Sequence, residues 1–486
     1  PLELTIRRAD DPFFPIHPVL VAAPVPGFVL DGASQYAFVV TTDFGEDTSF
    51  DGSAVPHAFG QALTEPTLAP LLECLPDLGL DRSELATATV FSTQDTLSEL
   101  RSLRDHSASL APGPVVDNWQ WLEDESVAGS YETWRGEVDV PIYQRGDSPY
   151  WVEGEMVFDD EGTPVVQRWE KVAFALSFPV DIKEPRHVLI WQSGARADLT
   201  GWVNRPLARD FRQAGFAIIK FLPQFHGERN VDGGDLDLHT YNYLNPAAGR
   251  AVLRQEVLDV SWFVRVVRES LGDLEGVPLL ETDYLTLIGH SQGAEVGAMV
   301  AAVEPEVDAF LLHGVGTYLS ETIVHRTDPF DVPATLQDFF GIGEVDRFHP
   351  LIQLIQLGGD VVDPSNHLKA WKGWSGDTDG SHVLMVNGYH DQDVYFVSMN
   401  AMTIGGDATV AEPAGWDVDP FDVWDVDAVA TPIVDNREAL SGAPITLASV
   451  LFADGDHYTL YENKEARDIG VWFLQSGVDA SPEVDF

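Results

Sequence analysis

A serine between two glycines offers the clearest chemistry in this sequence. Ser291 lies in "LTLIGHSQGAEVGAMV", residues 285–300, in the pattern glycine, any residue, serine, any residue, glycine. The apolar residues before it predict a strand, and the small residues after it predict a helix. A GxSxG serine acts as a nucleophile in this strand–turn–helix context. Ser291 is therefore predicted to be a catalytic nucleophile, and the alternative is a plain turn.

The glycines on either side of the serine have a structural reason. A turn this sharp forces the serine into a strained backbone conformation. Side chains at Gly289 and Gly293 would collide with the neighbouring helix and strand. The N-terminus of the following helix also favours negative charge that develops beside Ser291.

A nucleophilic serine needs a base, and the base needs a carboxylate that orients it. The acid is expected in the loop after a later strand, and "HVLMVNGYHDQDVYF" places Asp391 in such a loop behind Gly388. Asp393, two residues further on, is the alternative acid. A third interpretation is an ordinary acidic surface loop, since Asp is common throughout this chain.

The base is expected after the last predicted strand, shortly before the final helix. "LFADGDHYTLYENKEARD" places His457 there, alone among the fourteen histidines. His290 adjoins the nucleophile but is predicted to point away from its reacting side and to pack or line the pocket. His390, beside Asp391, is a weaker competitor for the role of base.

An oxyanion hole needs two backbone N–H groups that face the carbonyl oxygen as it gains charge. One is expected from Gln292, directly after the nucleophile. The loop "WQSGARAD" is expected to supply the other, from Ala195 or, as second choice, from Gly194. The alternative is an ordinary glycine-containing loop.

The elements that must position these residues follow a strand–loop–helix rhythm from residue 183 to residue 486. This rhythm predicts an α/β fold with a doubly wound, mostly parallel sheet. Residues 317–381 interrupt it and are predicted to form an inserted cap. The predicted strands are "HVLIWQ", "FAIIKFL", "YLTLIG", "VDAFLLHG", "HVLMVNG" and "ITLASVLFADG", and the longest predicted helix is an amphipathic one at 251–272.

The first part of the chain, residues 1–182, is predicted to be a separate β-rich domain. Its segments alternate and are rich in Val, Thr, Tyr and Trp, as in "QYAFVVTTDF", "LATATVFST", "GEVDVPIYQRG", "YWVEGEMVFDDEG" and "VAFALSFPV". One helix is predicted at "TQDTLSELRSLRDH". The domain carries no recognisable chemistry, so it either shapes the active-site mouth, docks a partner or only stabilises the enzyme.

The composition excludes some functions. The 486 residues carry 28 Lys plus Arg against 78 Asp plus Glu, a formal charge of −50. Such a surface repels phosphate backbones, so nucleic acid is excluded as a partner. It suits high salt, which screens self-repulsion, although selection for solubility is the alternative. No apolar run reaches the length of about 18 residues that a membrane span needs.

The start of the chain and its single cysteine allow two further predictions. The chain begins at Pro1 without an initiator Met or a signal pattern, so we expect a processed form without its targeting segment. Cys74 is the only cysteine and is expected to be a small buried apolar residue. The oligomeric state stays open.

The sequence gives little indication of a metal-binding site. The stretches "SGDTDGSH" (375–382) and "NVDGGDLDLH" (230–239) offer spaced oxygen ligands for a structural Ca²⁺, but neither matches an EF-hand loop. Solvated acidic loops are the expected interpretation. No Cys/His cluster indicates zinc, and no cofactor is required by the predicted chemistry.

Residues 185–478 resemble the α/β-hydrolase fold, because the "SGA" loop, "GHSQG", "NGYHDQDV" and "DGDHY" occur in the order of that superfamily. The whole chain resembles bacterial virulence-factor lipases with a β-rich N-terminal domain, through "YAFVVTTDFG", "ATVFSTQDTLSELRSLRD" and "HPLIQLIQLGGDVVDPSNHL". That family implies a secreted, periplasmic or cell-surface protein. Two features depart from it: "SG" replaces the "HG" of many lipases, and a lipid-attachment Cys is absent at the start.

These observations predict a serine esterase or lipase acting on a small-molecule or lipid ester. An amidase, peptidase or polyester hydrolase with the same triad is the alternative, and a non-catalytic binding module is the second. Apolar cap residues would suit acyl chains or aromatic esters, or would pack the cap onto the core. These residues are Phe339, Phe340, Phe348, Leu351, Leu354, Trp371 and Trp374.

Overall fold

The computed structural model describes residues 1–7, 19–44, 68–230, 234–242, 245–327, 331–343, 345–376 and 378–485. These residues form two compact units. The larger contains Pro1–Val29 and Leu97–Phe486, and the smaller is Leu30–Thr96.

The strands begin with short hairpins and continue into one large sheet. In chain order they are β1 (Leu2–Arg7), β2 (Val19–Pro24), β3 (Gln35–Thr41), β4 (Leu85–Ser92), β5 (Val116–Trp121), β6 (Tyr131–Ile142), β7 (Arg168–Pro179), β8 (Arg186–Gln192), β9 (Phe216–Phe221), β10 (Leu280–His290), β11 (Ala309–His313), β12 (His382–Gly388), β13 (Thr409–Ala411), β14 (Ala428–Val429), β15 (Arg437–Glu438), β16 (Pro444–Ile445) and β17 (Leu447–Phe452).

Most of the helices connect successive strands of the large sheet along the chain. In chain order they are α1 (Ala69–Cys74), α2 (Ser98–Ser109), α3 (Pro206–Gln213), α4 (Leu236–His239), α5 (Pro246–Glu269), α6 (Gln292–Val303), α7 (Leu319–His325), α8 (Val332–Phe340), α9 (Pro350–Gly359), α10 (Phe396–Gly405), α11 (Phe421–Trp424), α12 (Thr459–Glu462) and α13 (Lys464–Ser476).

The large sheet has eleven strands in the order β14-β13-β17-β12-β11-β10-β8-β9-β7-β6-β5. Neighbouring strands are parallel from β14 to β9, and antiparallel from β9 through β7 and β6 to β5. Helices follow the parallel strands, as crossover connections between parallel strands require. This confirms the predicted α/β-hydrolase fold.

Side-chain alternation divides the core between the two faces of the sheet. On β8, Val188 and Ile190 pack on the face covered by α5 and α6. Leu189 and Trp191 pack on the opposite face, against α3 and α13. Both sets are buried because a parallel sheet with helices on both faces has no solvated side. The sheet is thereby held rigidly under the loops at the carboxyl ends of its strands.

The segment predicted to be an inserted cap lies between β11 and β12, and its role as a cap stays a prediction. It contains α7, α8 and α9, which share a small apolar cluster of their own around Ile323 and Ile352. Its last segment, Leu368–Lys372, turns back onto α6, where the indole N–H of Trp371 donates to the Ala298 carbonyl at 2.9 Å.

The N-terminal region contributes to more than one sheet. β1 pairs with β2 in one hairpin, and β3 pairs with β4 in another, which belongs to the Leu30–Thr96 unit together with α1. The predicted boundary between residues 182 and 183 falls between β7 and β8. Strands on both sides of it belong to the large sheet, because β7 pairs with β9. Separate folding of 1–182 and 183–486 stays a prediction.

Three local expectations differ from the structure. The predicted strand "YWVEGEMVFDDEG" makes only isolated bridges, at Met156 and Phe158. The helix predicted as amphipathic at 251–272 is buried on nearly all sides, with polar residues inside the fold. Cys74 is exposed instead of buried, because it lies on the outer side of the short helix α1 whose Leu71 faces inward.

Candidate active site

Ser291 occupies a sharp turn between β10 and α6. Its φ of 53° and ψ of −124° lie in a region that L residues rarely adopt. Its backbone N–H donates to the His313 carbonyl at 2.9 Å, and its own carbonyl accepts the N–H of Ala294 at 2.8 Å. The turn is thus held from the neighbouring strand and from the helix, which is how an exposed nucleophile is presented.

The flanking glycines have no room for a side chain. A Cβ built on Gly289 would lie 2.5 Å from the Gly293 carbonyl oxygen, and one on Gly293 would lie 2.5 Å from the Gln192 carbonyl oxygen. Both obstacles are backbone atoms, which cannot rotate away as a side chain can. The close approach of α6 to the end of β8 therefore requires these glycines, as the sequence predicts.

Asp391 and His457 meet in a buried hydrogen bond. The His457 Nδ1 lies 2.7 Å from Asp391 Oδ2, and the two residues are only 6% and 3% exposed. The second oxygen of Asp391 accepts the backbone N–H groups of Asp393 and Val394, at 2.9 and 2.8 Å. Because the carboxylate is anchored by its own loop, it can orient the imidazole through Nδ1 and leave Nε2 for proton transfer.

Opposing influences set the pKa of His457. Burial is the largest of them and lowers the pKa. The hydrogen bond and the charge of Asp391 raise it, Asp393 adds to the rise, and the positive Arg326 opposes it. The net result is a pKa above the ordinary value of the imidazole. The site therefore favours the protonated form of this histidine.

Two contacts bring His457 to the Ser291 turn. His290, the residue before the serine, lies with its Nε2 2.9 Å from the His457 carbonyl oxygen. A Cβ built on Gly314 would lie 3.1 Å from His457 Nδ1, and Gly314 directly follows His313, the residue that accepts the Ser291 N–H. His290 and Gly314 thus lie against the backbone and the imidazole of His457, respectively.

His290 packs behind the turn, in agreement with its interpretation as a packing residue. Its ring contacts those of His313 and His457, with centroids 5.0 and 4.8 Å away. Burial lowers its pKa well below the ordinary value, and the charges of both neighbours act in the same direction. His313 was not singled out from the sequence, because it ends a strand that reads as apolar. His390 is exposed, and the structure pairs Asp391 with His457 instead.

The loop predicted to complete the oxyanion hole approaches the turn closely. A Cβ on Gly194 would lie 3.0 Å from the Ser291 Cβ, so the backbone of this loop passes directly beside the serine. Ala195 is exposed, and Arg196 after it adopts a positive φ of 66°. Gln292 is the first residue of α6 and is 1% exposed. The assignment of Ala195 and Gln292 as donors stays a prediction.

Two carboxyl groups near the turn, the buried Glu256 and the half-buried Glu295, were missed by the sequence reasoning. Glu256 on α5 accepts hydrogen bonds from Gln292 Nε2, and Glu295 on α6 accepts one from the Tyr241 hydroxyl at 3.0 Å. Burial, the largest influence on each, raises the pKa of Glu256 to about 8 and that of Glu295 to about 7. For Glu295 the signal that could have found it is a single acidic residue in a helix of otherwise apolar or small residues, whereas Glu256 lies beside Arg254 and Gln255 and has no such signal.

Asp393, the alternative acid, is engaged elsewhere. Its carboxylate pairs with Arg326 at 3.0 Å, and it is partly exposed. Among the described residues, Asp391, Asp393 and His457 are also the one group whose ligand atoms lie close enough to hold a metal ion. Two of them are already joined by the 2.7 Å hydrogen bond, an arrangement that suits an acid–base pair better than a metal site.

The remaining sequence candidates fall in three places. Each stretch proposed for Ca²⁺ includes positions outside the described residues, at 231–233 and 377. Of the cap residues, Trp371 is buried in the core, and Phe340 and Leu351 pack within the cap. Phe339 and Leu354 are 75% and 60% exposed. Among the described helices, none combines the length and the apolarity that a membrane span demands.

Comparisons with known proteins concern the fold. The sequence matches no protein-family profile, and no curated protein matches it. Among solved structures, an acetyl xylan esterase from Thermoanaerobacterium sp. is 14% identical with a TM-score of 0.44, covering 79% of this chain and 93% of that one.

Two further solved structures have the same kind of similarity. An acetyl xylan esterase from a Paenibacillus species is 12% identical with a TM-score of 0.45, covering 76% of this chain and 92% of that one. A glucuronoyl esterase from Teredinibacter turnerae is 11% identical with a TM-score of 0.39, covering 75% and 78%. At such identities the likeness is one of fold, so the function must be argued from the site itself.

Proposed function

We propose that this protein is a serine hydrolase that cleaves carboxylic esters through an acyl-enzyme intermediate. The observation that supports the proposal most strongly is the buried 2.7 Å hydrogen bond from His457 Nδ1 to Asp391, beside the turn that presents Ser291. A histidine oriented by an anchored carboxylate next to a nucleophile elbow is the arrangement that acyl transfer needs.

The proposed reaction begins when Ser291 Oγ attacks the ester carbonyl carbon and its proton passes to His457 Nε2. Asp391 holds the resulting imidazolium, whose pKa it raises. The backbone N–H groups of Ala195 and Gln292 stabilise the oxyanion. The tetrahedral intermediate then expels the alcohol, which takes the proton from His457. Water, deprotonated by His457, attacks the acyl-enzyme, and the second tetrahedral intermediate expels Ser291 Oγ. The serine oxygen takes the proton back from His457, and the carboxylic acid is released.

Hydrolysis of p-nitrophenyl esters of graded chain length tests this proposal. We expect release of p-nitrophenol by the wild type and a fall in kcat by about 10⁴-fold or more in Ser291→Ala. Ser130→Ala, at an exposed turn away from the site, is the control and should behave as the wild type. Unchanged hydrolysis in Ser291→Ala would refute the mechanism.

The same series measures acyl-chain preference. A preference for long chains, which the resemblance to lipases implies, is part of the proposal, and the exposed Phe339 and Leu354 are the cap residues free of the core that support it. Anilides of the same acids separate an esterase from an amidase, because only the scissile bond changes. We expect the esters to react and the anilides to remain.

Labelling by a fluorophosphonate probe tests the nucleophile independently of any substrate. Covalent labelling is expected for the wild type and for His390→Ala, whose side chain is exposed. It should be lost in Ser291→Ala and strongly slowed in His457→Ala, since the serine then lacks its base. Absence of labelling in the wild type would support a binding module instead, and equal labelling of all variants would mean that a group other than Ser291 reacts with the probe.

A location outside the cytoplasm also belongs to the proposal. It rests on the resemblance to exported lipases, and fractionation of the native cells with an antibody against this chain tests it. Recovery of the protein in the cytoplasmic fraction alone would contradict it.

A further inference from the structure

A carboxyl group below the nucleophile turn binds the residue that follows the serine. Glu256 on α5 is 2% exposed, and its two oxygens lie 2.8 and 3.0 Å from the side-chain nitrogen of Gln292. Gln292 is itself 1% exposed. A polar pair buried this deeply is costly unless it is hydrogen-bonded, so the contact is specific.

The place of Gln292 gives the contact a consequence for chemistry. Gln292 is the first residue of α6, and its backbone N–H is the one expected to face the oxyanion. An oxyanion donor must keep its position within a few tenths of an ångström to stabilise charge as it develops. The side-chain bond to Glu256 ties this first residue to α5, a 24-residue helix buried along most of its length.

Burial favours the neutral form of Glu256. Burial is the largest influence and raises its pKa to about 8, and the nearby Asp259 and Glu295 add to the rise. The hydrogen bond from Gln292 and the positive charge of Arg229 oppose it. Arg229 is itself paired with Asp259 at 2.7 Å. A neutral carboxyl accepts the Gln292 hydrogen bond without placing a negative charge below the site of the oxyanion.

We propose that Glu256 is a positioning residue for the oxyanion hole, which acts by holding the side chain of Gln292 so that the Gln292 backbone N–H meets the carbonyl oxygen of the substrate. This inference rests on the proposed ester hydrolysis. It concerns a residue that touches no reacting atom, so its effect must pass through Gln292.

A double-mutant cycle separates this role from a merely structural one. Glu256→Ala and Gln292→Ala each remove the side-chain contact, while Gln292→Ala keeps the backbone N–H. We expect each to lower kcat for p-nitrophenyl acetate by about tenfold, a fraction of the roughly 10²–10³ that loss of a whole oxyanion donor costs, with little change in KM. The double variant should be no slower than the slower single variant.

Conservative replacement supplies the second readout. Glu256→Gln keeps an acceptor oxygen for Gln292 and should retain kcat within about threefold at neutral pH, since the bonded group is neutral in both. The wild type should lose kcat as the pH rises through about 8, where Glu256 ionises. Glu256→Gln should lack that loss, because it has no proton to release.

Controls keep the outcomes distinct. Ser261→Ala removes another buried polar side chain of α5 and should leave kcat unchanged. If Glu256→Ala unfolds, Glu256→Met fills the same volume without accepting a hydrogen bond and replaces it in the cycle. Multiplicative losses in the double variant, or wild-type kcat in both Glu256→Ala and Glu256→Met, would overturn the inference. Absence of hydrolysis by the wild type would instead refute the proposed function.

Discussion

The proposed mechanism requires His457 to act first as a base and then as an acid, and its surroundings suit both roles. Burial alone would keep the imidazole neutral, whereas Asp391 raises its pKa. The carboxylate does so from a fixed position, because two backbone N–H groups of its own loop hold its other oxygen. Orientation and charge stabilisation therefore come from the same residue.

Replacement of Asp391 tests this double role. In Asp391→Asn the proposed mechanism loses the correct tautomer of His457, and kcat should fall by about 10⁴-fold. Asp393→Asn is the matched control in the same loop, and should cost far less because Asp393 pairs with Arg326. Steady-state hydrolysis of p-nitrophenyl acetate by both variants measures the difference. Equal losses would mean that the two carboxylates share the role.

The pH dependence of kcat/KM reports the same pair. Hydrolysis requires the neutral imidazole, so activity should rise with pH, with an inflection above the ordinary histidine value of about 6.5. Removal of the Asp391 charge takes away the influence that raises the pKa. The inflection in Asp391→Asn should therefore move to lower pH. A shift to higher pH would contradict the assignment.

The sequence could locate the acid loop but could not distinguish its two aspartates by spacing alone. Asp391 and Asp393 follow the same strand, three and five residues after Gly388, and by spacing either could reach a histidine. What separates them is tertiary: Asp391 faces His457, and Asp393 faces Arg326, which lies far away in the chain. Contacts of this range leave no local signal.

At the scale of elements, the turn depends on how closely α6 packs against the end of β8. Gly293 sits at the contact, where a Cβ would meet backbone oxygens of Gln192 and Ser193 at 2.5 and 2.7 Å. Backbone atoms at the end of a central strand cannot move without disturbing the sheet. The geometry of the nucleophile is thus a property of two elements together.

Gly293→Ala is expected to destabilise the fold by about 1–3 kcal/mol, as overpacking does, and to abolish most activity by displacing α6. Gly297→Ala on the same helix is the matched control. Its Cβ would meet only the side chains of Leu312 and Leu287, which can rotate, and alanine favours the helix by about 1 kcal/mol. Urea unfolding and ester hydrolysis of both variants provide the test. A larger loss in Gly297→Ala would be contrary to this account.

Strands could be predicted from the sequence where a continuous apolar run is bounded by glycine. The strands before Ser291 and Asp391 are continuous apolar runs bounded by glycine, and the structure forms both. The segment around Met156 alternates in the same way but makes only isolated bridges. The pattern of α5 predicts an amphipathic helix, yet its charged residues Arg254, Glu256 and Asp259 are all buried. Pairing partners and buried polar contacts are decided by tertiary structure.

At the scale of the whole molecule, the charge of −50 is the dominant feature. Like charges this numerous repel one another in the folded state more than in the expanded unfolded chain. Salt shortens the range of that repulsion from about 10 Å at 0.1 M to about 3 Å at 1 M. Added salt should therefore stabilise the folded state relative to the unfolded chain.

Urea unfolding in increasing NaCl measures this gain. We expect the midpoint to rise steadily between about 0.1 and 1 M NaCl. A hydrolase of similar size with balanced charges is the control and should change much less. A midpoint that falls or stays constant in this chain would show that repulsion is a minor contribution and would favour solubility as the reason for the composition.

Truncation tests the predicted domain boundary. Fragment 183–486 loses β5, β6 and β7, so β9 would expose the edge that pairs with β7 in the full chain. We expect this fragment to lack a cooperative unfolding transition. Fragment 97–486 retains all eleven strands of the sheet and should unfold cooperatively. A folded, active 183–486 would establish the boundary as first predicted.

At position 291 the residue that the proposed catalysis needs is not the residue that would stabilise the fold most. At φ 53° and ψ −124° a glycine relaxes by about 1 kcal/mol or more relative to an L residue. Ser291→Gly should thus unfold at a higher urea concentration than Ser291→Ala while remaining equally inactive. A sequence optimised for stability alone would therefore have glycine at this position and would lack the proposed nucleophile.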